Sequence, residues 1–408
     1  MLSEFDVIST IIGLLVLVIP AMLLGKLCSH FKISEIIGFV IAGVIFGPFA
    51  LGGLILFYDQ PLVVINDLVL SFWQISGIVI LFSAGLHFTF HDFRKAGLTS
   101  IFVGIGGVIL PLTIGYLFSV WMGFDWIVSI LIGATLSATS ITISVRILEE
   151  LRKEKTKEGN VLVNAAVLDD VLGLAILSAV VSIIVTNSVP SIDAIMLITA
   201  ESVGFWFLIL LGSVLILPKI IHLVDAARPS SLESRGTHQA VALGSAFGIA
   251  AISGSLGLNP IVGAFAAGMG LAGSRLANQL REFDGILRVM LAPLFFAIMG
   301  AHVNIGKFFE INWIIFVAIL ALAIITKIIG AGLPASIFLH SKKRGMRVGY
   351  GMIARGEIAF ITAGIGLTHG ILNDSLYSTL IFVILGTILI SPTLLRYSFR
   401  TKNNEIKS

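Results

Sequence analysis

A single cysteine, Cys28, occurs in 408 residues. No disulfide can close within the chain, and cysteine usage leaves the redox compartment open. Charge is scarce as well. Asp, Glu, Lys and Arg make up 12% of the residues, against about 25% in a soluble domain. So few charges cannot clothe a water-exposed surface, which excludes a soluble globular protein. The N-terminus carries Glu4 and Asp6 with no basic flank. That does not fit a cleaved leader, so the first apolar segment is expected to be a retained span. The pI of about 9.0 then calls for a membrane explanation before a nucleic-acid one. No nucleic-acid partner is expected, because the basic tail after Arg396 reads as topogenic.

What is abundant is hydrocarbon: 57% of residues are hydrophobic and the mean hydropathy is +1.05. Thirteen apolar segments stand out, at 6–25, 34–51, 70–88, 96–121, 126–146, 160–186, 193–221, 236–256, 259–274, 286–303, 311–339, 347–371 and 374–395. The pattern predicts an all-α polytopic membrane protein with about 13 transmembrane helices, in the cell membrane and in contact with the lipid bilayer. The loops test the count. Of the 26 Lys and Arg residues, all but Lys307, Lys327 and Arg355 fall on one side of the alternation. A missed or invented span would scramble that separation. The positive side is cytoplasmic, so the N-terminus is expected outside and the C-terminus inside.

The exceptions are the informative residues. Asp169 and Asp170 lie about ten residues into the run that starts at Asn160, which at ~1.5 Å per residue puts them near the bilayer midplane. Lys327, Arg355 and Glu357 also fall inside predicted spans, Lys327 and Glu357 at about the same depth. Intramembrane ionisable groups are costly and point to ion or proton sites. Structural ion pairs alone would not call for three acids against two bases. Neighbours on a helix point about 100° apart, so Asp169 and Asp170 cannot share one partner. One can pair with Lys327 while the other faces a wet cavity. A buried carboxylate that can hold either a proton or a cation is the minimal element of exchange. Ala165, Ala166 and Gly173 leave room for a second helix beside it.

Two spans look weakened. The fifth carries Thr135, Ser137, Thr139, Ser140, Thr142 and Ser144, and hydroxyls compete for backbone hydrogen bonds. The twelfth contains Gly349, Gly351 and Gly356. A faint inverted repeat relates Leu81–His87 to Leu294–His302, seven spans apart, and puts the two weakened spans in equivalent positions. Paired broken helices in two halves are a transporter signature, and their hydroxyls and unwound carbonyls can replace a cation's water.

Asp169-Asp170, the Gly133-Ala-Thr-Leu-Ser-Ala-Thr-Ser140 run, Lys327 with Gly330, and Arg355-Gly-Glu357 resemble the cation:proton antiporter superfamily, in its NapA/Kef branch. The resemblance extends to Gly43-Val-Ile-Phe-Gly-Pro48, Gly85-Leu86 and Asn259-Pro-Ile-Val-Gly-Ala-Phe265. It implies a six-helix core domain with two crossed broken helices, a dimerisation domain and a homodimer. On this chain the division falls at 1–95 and 224–308 for the dimerisation domain, and at 96–187 and 309–400 for the core. Residues 188–223 form a linker helix and 401–408 a cytoplasmic tail. It implies Asp170 as carrier of the cation and proton, with Thr139 and Ser140 as ligands and Glu357 opposite. Asp169 would pair with Lys327, and Arg355 would neutralise Glu357 or set its conformation. The transported species are sodium or lithium and protons, with no cofactor and no resident metal. Kef-type potassium systems often carry Gln for one aspartate and a nucleotide-binding C-terminal domain. This chain keeps both acids and ends at Ser408, so a sodium-type exchanger is expected, with a separate regulatory subunit possible. Two acids and a lysine at mid-depth predict electrogenic exchange, and the alternative is a potassium/proton or electroneutral exchanger.

Weaker signals read as packing or solvation. Gly268-Met-Gly-Leu-Ala-Gly273 matches a dinucleotide fingerprint by letter but follows no strand. Gly43 and Gly47 form a Gly-x-x-x-Gly seam, within the chain or between copies. His87 and His91 lack a third metal ligand. Glu149 to Glu158 reads as a solvated cytoplasmic loop. An intramembrane aspartyl protease needs its two aspartates on facing helices and is excluded, so the chain is not expected to be an enzyme. A channel fits an intramembrane lysine and broken helices less well than alternating access does.

Overall fold

The computed structural model describes residues 4–31, 33–57, 60–87, 90–186, 192–227, 232–274 and 277–400. The tail 401–408 and the topogenic Lys32, Arg228 and Arg275 lie outside the described residues. Among the described residues the fold is helical, apart from the antiparallel pair Leu56–Phe57 with Gln60–Pro61. Lipid offers no hydrogen bonds, so each apolar run must satisfy its backbone internally, and a helix does so.

The helices follow in order: α1 (Glu4–His30), α2 (Glu35–Phe46), α3 (Leu51–Leu54), α4 (Asp67–His87) and α5 (Phe90–Trp121). The fifth predicted span is two helices, α6 (Trp126–Ser137) and α7 (Ile141–Glu150). Then come α8 (Lys157–Thr186), α9 (Ile192–Ala227), α10 (Leu232–Ser255), α11 (Pro260–Ala272), α12 (Ala277–Ala301) and α13 (Trp313–Phe338). The twelfth predicted span is also two helices, α14 (Lys342–Gly351) and α15 (Glu357–Thr368), and α16 (Asp374–Arg400) closes the series. Starts are set by local polar caps. Asp125 accepts from Ile127 N at 3.0 Å, Asn259 from Ile261 N at 2.9 Å, and Asn312 from Ile315 N at 3.2 Å.

Nine segments among the described residues are long and apolar enough to cross a membrane, and α12, bent by 42°, makes a tenth. The sequence predicts thirteen. The other three are helical but fail on length or polarity. α10 begins with the polar stretch from Glu233 to Gln239, and α14 opens with Lys342, Lys343 and Arg344 before the break to α15. α11 has 13 residues, about 20 Å of helix, and every residue from Ile261 to Ala272 is buried in protein. A helix surrounded by other helices need not be long enough to face both headgroup layers.

The helices pack in two sets. In one, α1 packs on α2, α2 on α12, α12 on α4, and α4 on α11, which also touches α9 and α10. In the other, α5 lies against α6, α8 and α13, and α13 against α14 and α16. Contacts between the sets are narrow apart from those of α9 with α8. Small residues set the closest approaches. A Cβ on Gly47 would sit 3.0 Å from Ala301 Cα, and one on Gly85 3.0 Å from Gly268 Cα. The Gly43/Gly47 seam is therefore an internal α2–α12 contact, and Gly268 belongs to the α4–α11 interface.

The charged stretch 149–158 departs from its expected solvation. Glu158 opens α8 at 6% exposure, with Arg347 Nη1 donating to its carboxylate at 2.6 Å. Glu150 accepts from Ser34 Oγ at 2.9 Å, and Arg146 pairs with Glu35 at 2.9 Å. Mixed charge in sequence became cross-helix pairing, because α7, α8, α14 and α16 converge at this end of the bundle.

Candidate ion-binding site

The two split spans open where their sequences are weakest. α6 stops at Ser137 and α7 resumes at Ile141, leaving Ala138, Thr139 and Ser140 extended. α14 stops at Gly351 and α15 starts at Glu357, leaving 352–356 unwound. The two openings cross. Ser140 N donates to Ala354 O at 2.8 Å, Ser144 Oγ to Gly351 O at 2.7 Å, and Thr139 Oγ1 to Met352 O at 3.4 Å. A Cβ on Gly356 would lie 2.7 Å from Ser140 Oγ. Only glycine allows this approach.

Arg355 sits inside the crossing, fully buried. Its Nη2 donates to Leu136 O at 2.8 Å and to Ala323 O at 2.8 Å, and its Nη1 donates to Ile353 O. Leu136 is in the last turn of α6, whose final carbonyls have no helical partner. The guanidinium thus caps a half-helix within the bundle and ties it to α13. The side chain of Glu357 lies outside the described residues; its backbone is the first residue of α15.

One turn along α13 from Ala323, Lys327 Nζ donates to Asp169 Oδ1 at 2.8 Å. Both side chains are fully buried. Asp169 Oδ2 has no hydrogen-bond partner among the described residues. The pair sits where α8, α5 and α13 meet. A Cβ on Gly107 would contact Asp169 Oδ1 at 3.6 Å, and a Cβ on Gly330 would come within 3.0 Å of Gly106 C. Asp170, at 2% exposure, faces elsewhere, as the helical angle requires. Its Oδ2 lies 3.5 Å from Asn259 Nδ2 at the start of α11. A cavity of about 210 Å³ adjoins this point, lined by Asn259, Trp73, Gln74, Leu174, Ile358 and Ile361. Asn259 appeared in the sequence only as part of a family-like motif. Its polar-cap position before Pro260 was the available signal.

Acidic and basic groups, hydroxyls and unwound carbonyls thus share one buried region. The family profile described as "Sodium/hydrogen exchanger, transmembrane" matches residues 13–399, nearly the whole chain. The chain belongs to the sodium/hydrogen exchanger family. Within that family it is 30% identical over 387 residues to the Na(+)/H(+)-K(+) antiporter GerN of Bacillus cereus, covering 95% of each chain. It is also 30% identical over 389 residues to a Na(+)/H(+) antiporter of Enterococcus hirae, covering 95% of this chain and 97% of that one. Its fold is similar to that of the sodium proton antiporter MjNhaP1 from Methanocaldococcus jannaschii. The TM-score is 0.68 over 94% of this chain and 95% of that one, at 17% identity. The cation:proton antiporter resemblance in the sequence is borne out by the family match.

Proposed function

We propose that this chain is a secondary antiporter that exchanges sodium or lithium ions for protons across the membrane. Asp170 carries the cation or the proton by turns. Thr139 and Ser140, at the opening between α6 and α7, supply oxygens to the cation, and Glu357, the first residue of α15, is the further carboxylate of the site. Asp169 is held by Lys327 while the site is protonated and is released when the cation arrives. The observation that carries this reading is the fully buried Lys327–Asp169 pair at 2.8 Å, with Asp170 next to it and a cavity alongside. One acid suffices for the ion pair with Lys327, and the second, near the cavity, is the one we assign to the cation or proton.

The wider architecture follows the same reading. The three helical segments that are too short or too polar to count as spans by themselves complete thirteen crossings, with the N-terminus outside and the C-terminus cytoplasmic. Segments 96–187 and 309–400 form a moving core, while 1–95 and 224–308 form a dimerisation domain around a linker at 188–223. The inverted repeat sets the two split spans, α6–α7 and α14–α15, in equivalent positions of the two halves.

Sealed vesicles carrying a pH-sensitive dye test the reading. Sodium pulses are expected to release protons in the wild type and not in Asp170→Asn, with the variant still folded. Retained exchange in Asp170→Asn would remove that residue from the carrier role. Exchange is also expected to be electrogenic, each net charge coupling to roughly 2.3 kcal/mol per 100 mV. A rate indifferent to a potassium–valinomycin clamp would make it electroneutral. A potassium/proton exchanger is the second reading, favoured by the potassium in the name of the Bacillus cereus Na(+)/H(+)-K(+) antiporter. A cation series in the same vesicles separates the two.

A further inference from the structure

Asn259 is anchored on several sides. Its Oδ1 accepts from Ile261 N at 2.9 Å, and its carbonyl accepts from Val262 N at 3.1 Å and from Ser253 Oγ at 3.1 Å. Pro260 follows it, and Gly257 in the preceding turn has φ +76°. The cap decides which end of the carboxamide points where. The oxygen is engaged by α11, so the NH₂ faces Asp170 Oδ2, at 3.5 Å. This contact also joins the two helical sets. Asn259 belongs to the elbow between α10 and α11, and Asp170 to α8, and these two regions touch only narrowly. The cavity adjoins the same point.

An amide donor distinguishes the states of a carboxylate. It bonds well to a bare, ionised oxygen. A bound cation takes the same lone pairs and repels the N–H, and a protonated carboxyl is a poorer acceptor. The contact is therefore strongest when Asp170 holds neither ion. An exchanger must keep that empty, charged carrier from crossing, because its crossing would let sodium move without a returning proton. A tether that differs between states biases which states can move.

We infer that Asn259 is a positioning residue that fastens unloaded Asp170 to the α10–α11 elbow and lets go only when a cation or proton binds. The inference rests on the carrier role of Asp170 proposed above. Its test is the coupling ratio, sodium moved per proton, measured with radioactive sodium and a pH dye in vesicles under a voltage clamp. Asn259→Ser keeps a capping oxygen but is too short to reach Asp170, and Asn259→Gly is a tolerated cap with no side chain. The fraction of sodium moved without a proton is expected to rise about tenfold in both variants, the weight of one hydrogen bond to a charged group. A wild-type ratio in both variants overturns the inference, as does complete loss of transport in folded protein, which would make Asn259 an obligatory ligand. Asp170→Asn runs in parallel. Exchange persisting there sinks the carrier reading, whereas its loss there with tight coupling in the Asn259 variants sinks only the tether.

Discussion

The two interrupted crossings solve one problem by different chemistry. Each leaves backbone groups without helical partners in the middle of the bundle. The α6–α7 opening carries Thr139, Ser140, Thr142 and Ser144, so its side chains bring hydroxyl oxygens, and Ser140 Oγ and Thr142 Oγ1 lie 2.9 Å apart. The α14–α15 opening carries glycines and a guanidinium. Neither satisfies itself. Ser140 and Ser144 donate to carbonyls of the second opening, and Arg355 of the second donates to Leu136 of the first. The lesson is that the crossing is one unit. Half of it is built to present oxygen, and the other half to neutralise the carbonyl end of a helix.

The largest test of that asymmetry is Arg355→Met. It strips the donors from buried carbonyls of Leu136, Ala323 and Ile353, at about 1–3 kcal/mol for each group left bare. A large fall in thermal midpoint in detergent is expected. Arg355→Lys keeps charge but not the planar fork, and is expected to recover only part of the loss. Full recovery with lysine would mean that charge alone matters and the cap does not. Gly356→Ala comes next. Its Cβ would meet Ser140, so a cost of about 1–3 kcal/mol is expected, relieved in part by Ser140→Gly in the same chain. Strict additivity of the two changes in the unfolding midpoint would show that the openings do not touch. The smallest effect belongs to Ser144→Ala. Ser144 Oγ reaches Gly351 O and Ser140 O, so roughly 0.5–1.5 kcal/mol is expected by the same measurement.

Much of this was legible in the sequence, for identifiable reasons. Hydropathy and the basic loops marked the helical segments, because desolvation cost does not depend on which way a helix faces. The hydroxyl run and the three glycines marked both openings, because those residue types weaken helices wherever they stand. The partner of Arg355 was not legible. Its sequence neighbour Glu357 suggested an ion pair, whereas the guanidinium reaches carbonyls 219 and 32 positions away. Carbonyls are present at every residue and leave no mark in a sequence. The burial of Glu158 was hidden for a related reason. Its partner Arg347 is 189 positions distant, and a mixed charge run looks solvated until two helix ends are brought together. Asn259 stood in the sequence only within a family-like motif, and nothing local revealed which helix its amide nitrogen would meet.

The position of α5 between α8 and α13 has a mechanical corollary. Gly106 is pressed against Gly330 of α13, and Gly104 against Ala165 and Leu168 of α8, while Gly107 overlooks Asp169. One helix, kinked at Gly97 just before these contacts, therefore braces both the ammonium-bearing and the carboxylate-bearing helix at Gly104 and Gly106, where a side chain would be crowded. That brace sets how far apart the helices bearing Lys327 and Asp169 can sit. If the pair opens during the exchange proposed above, an arriving ion is better placed to part it than leverage from the helices, and the frame would follow the chemistry.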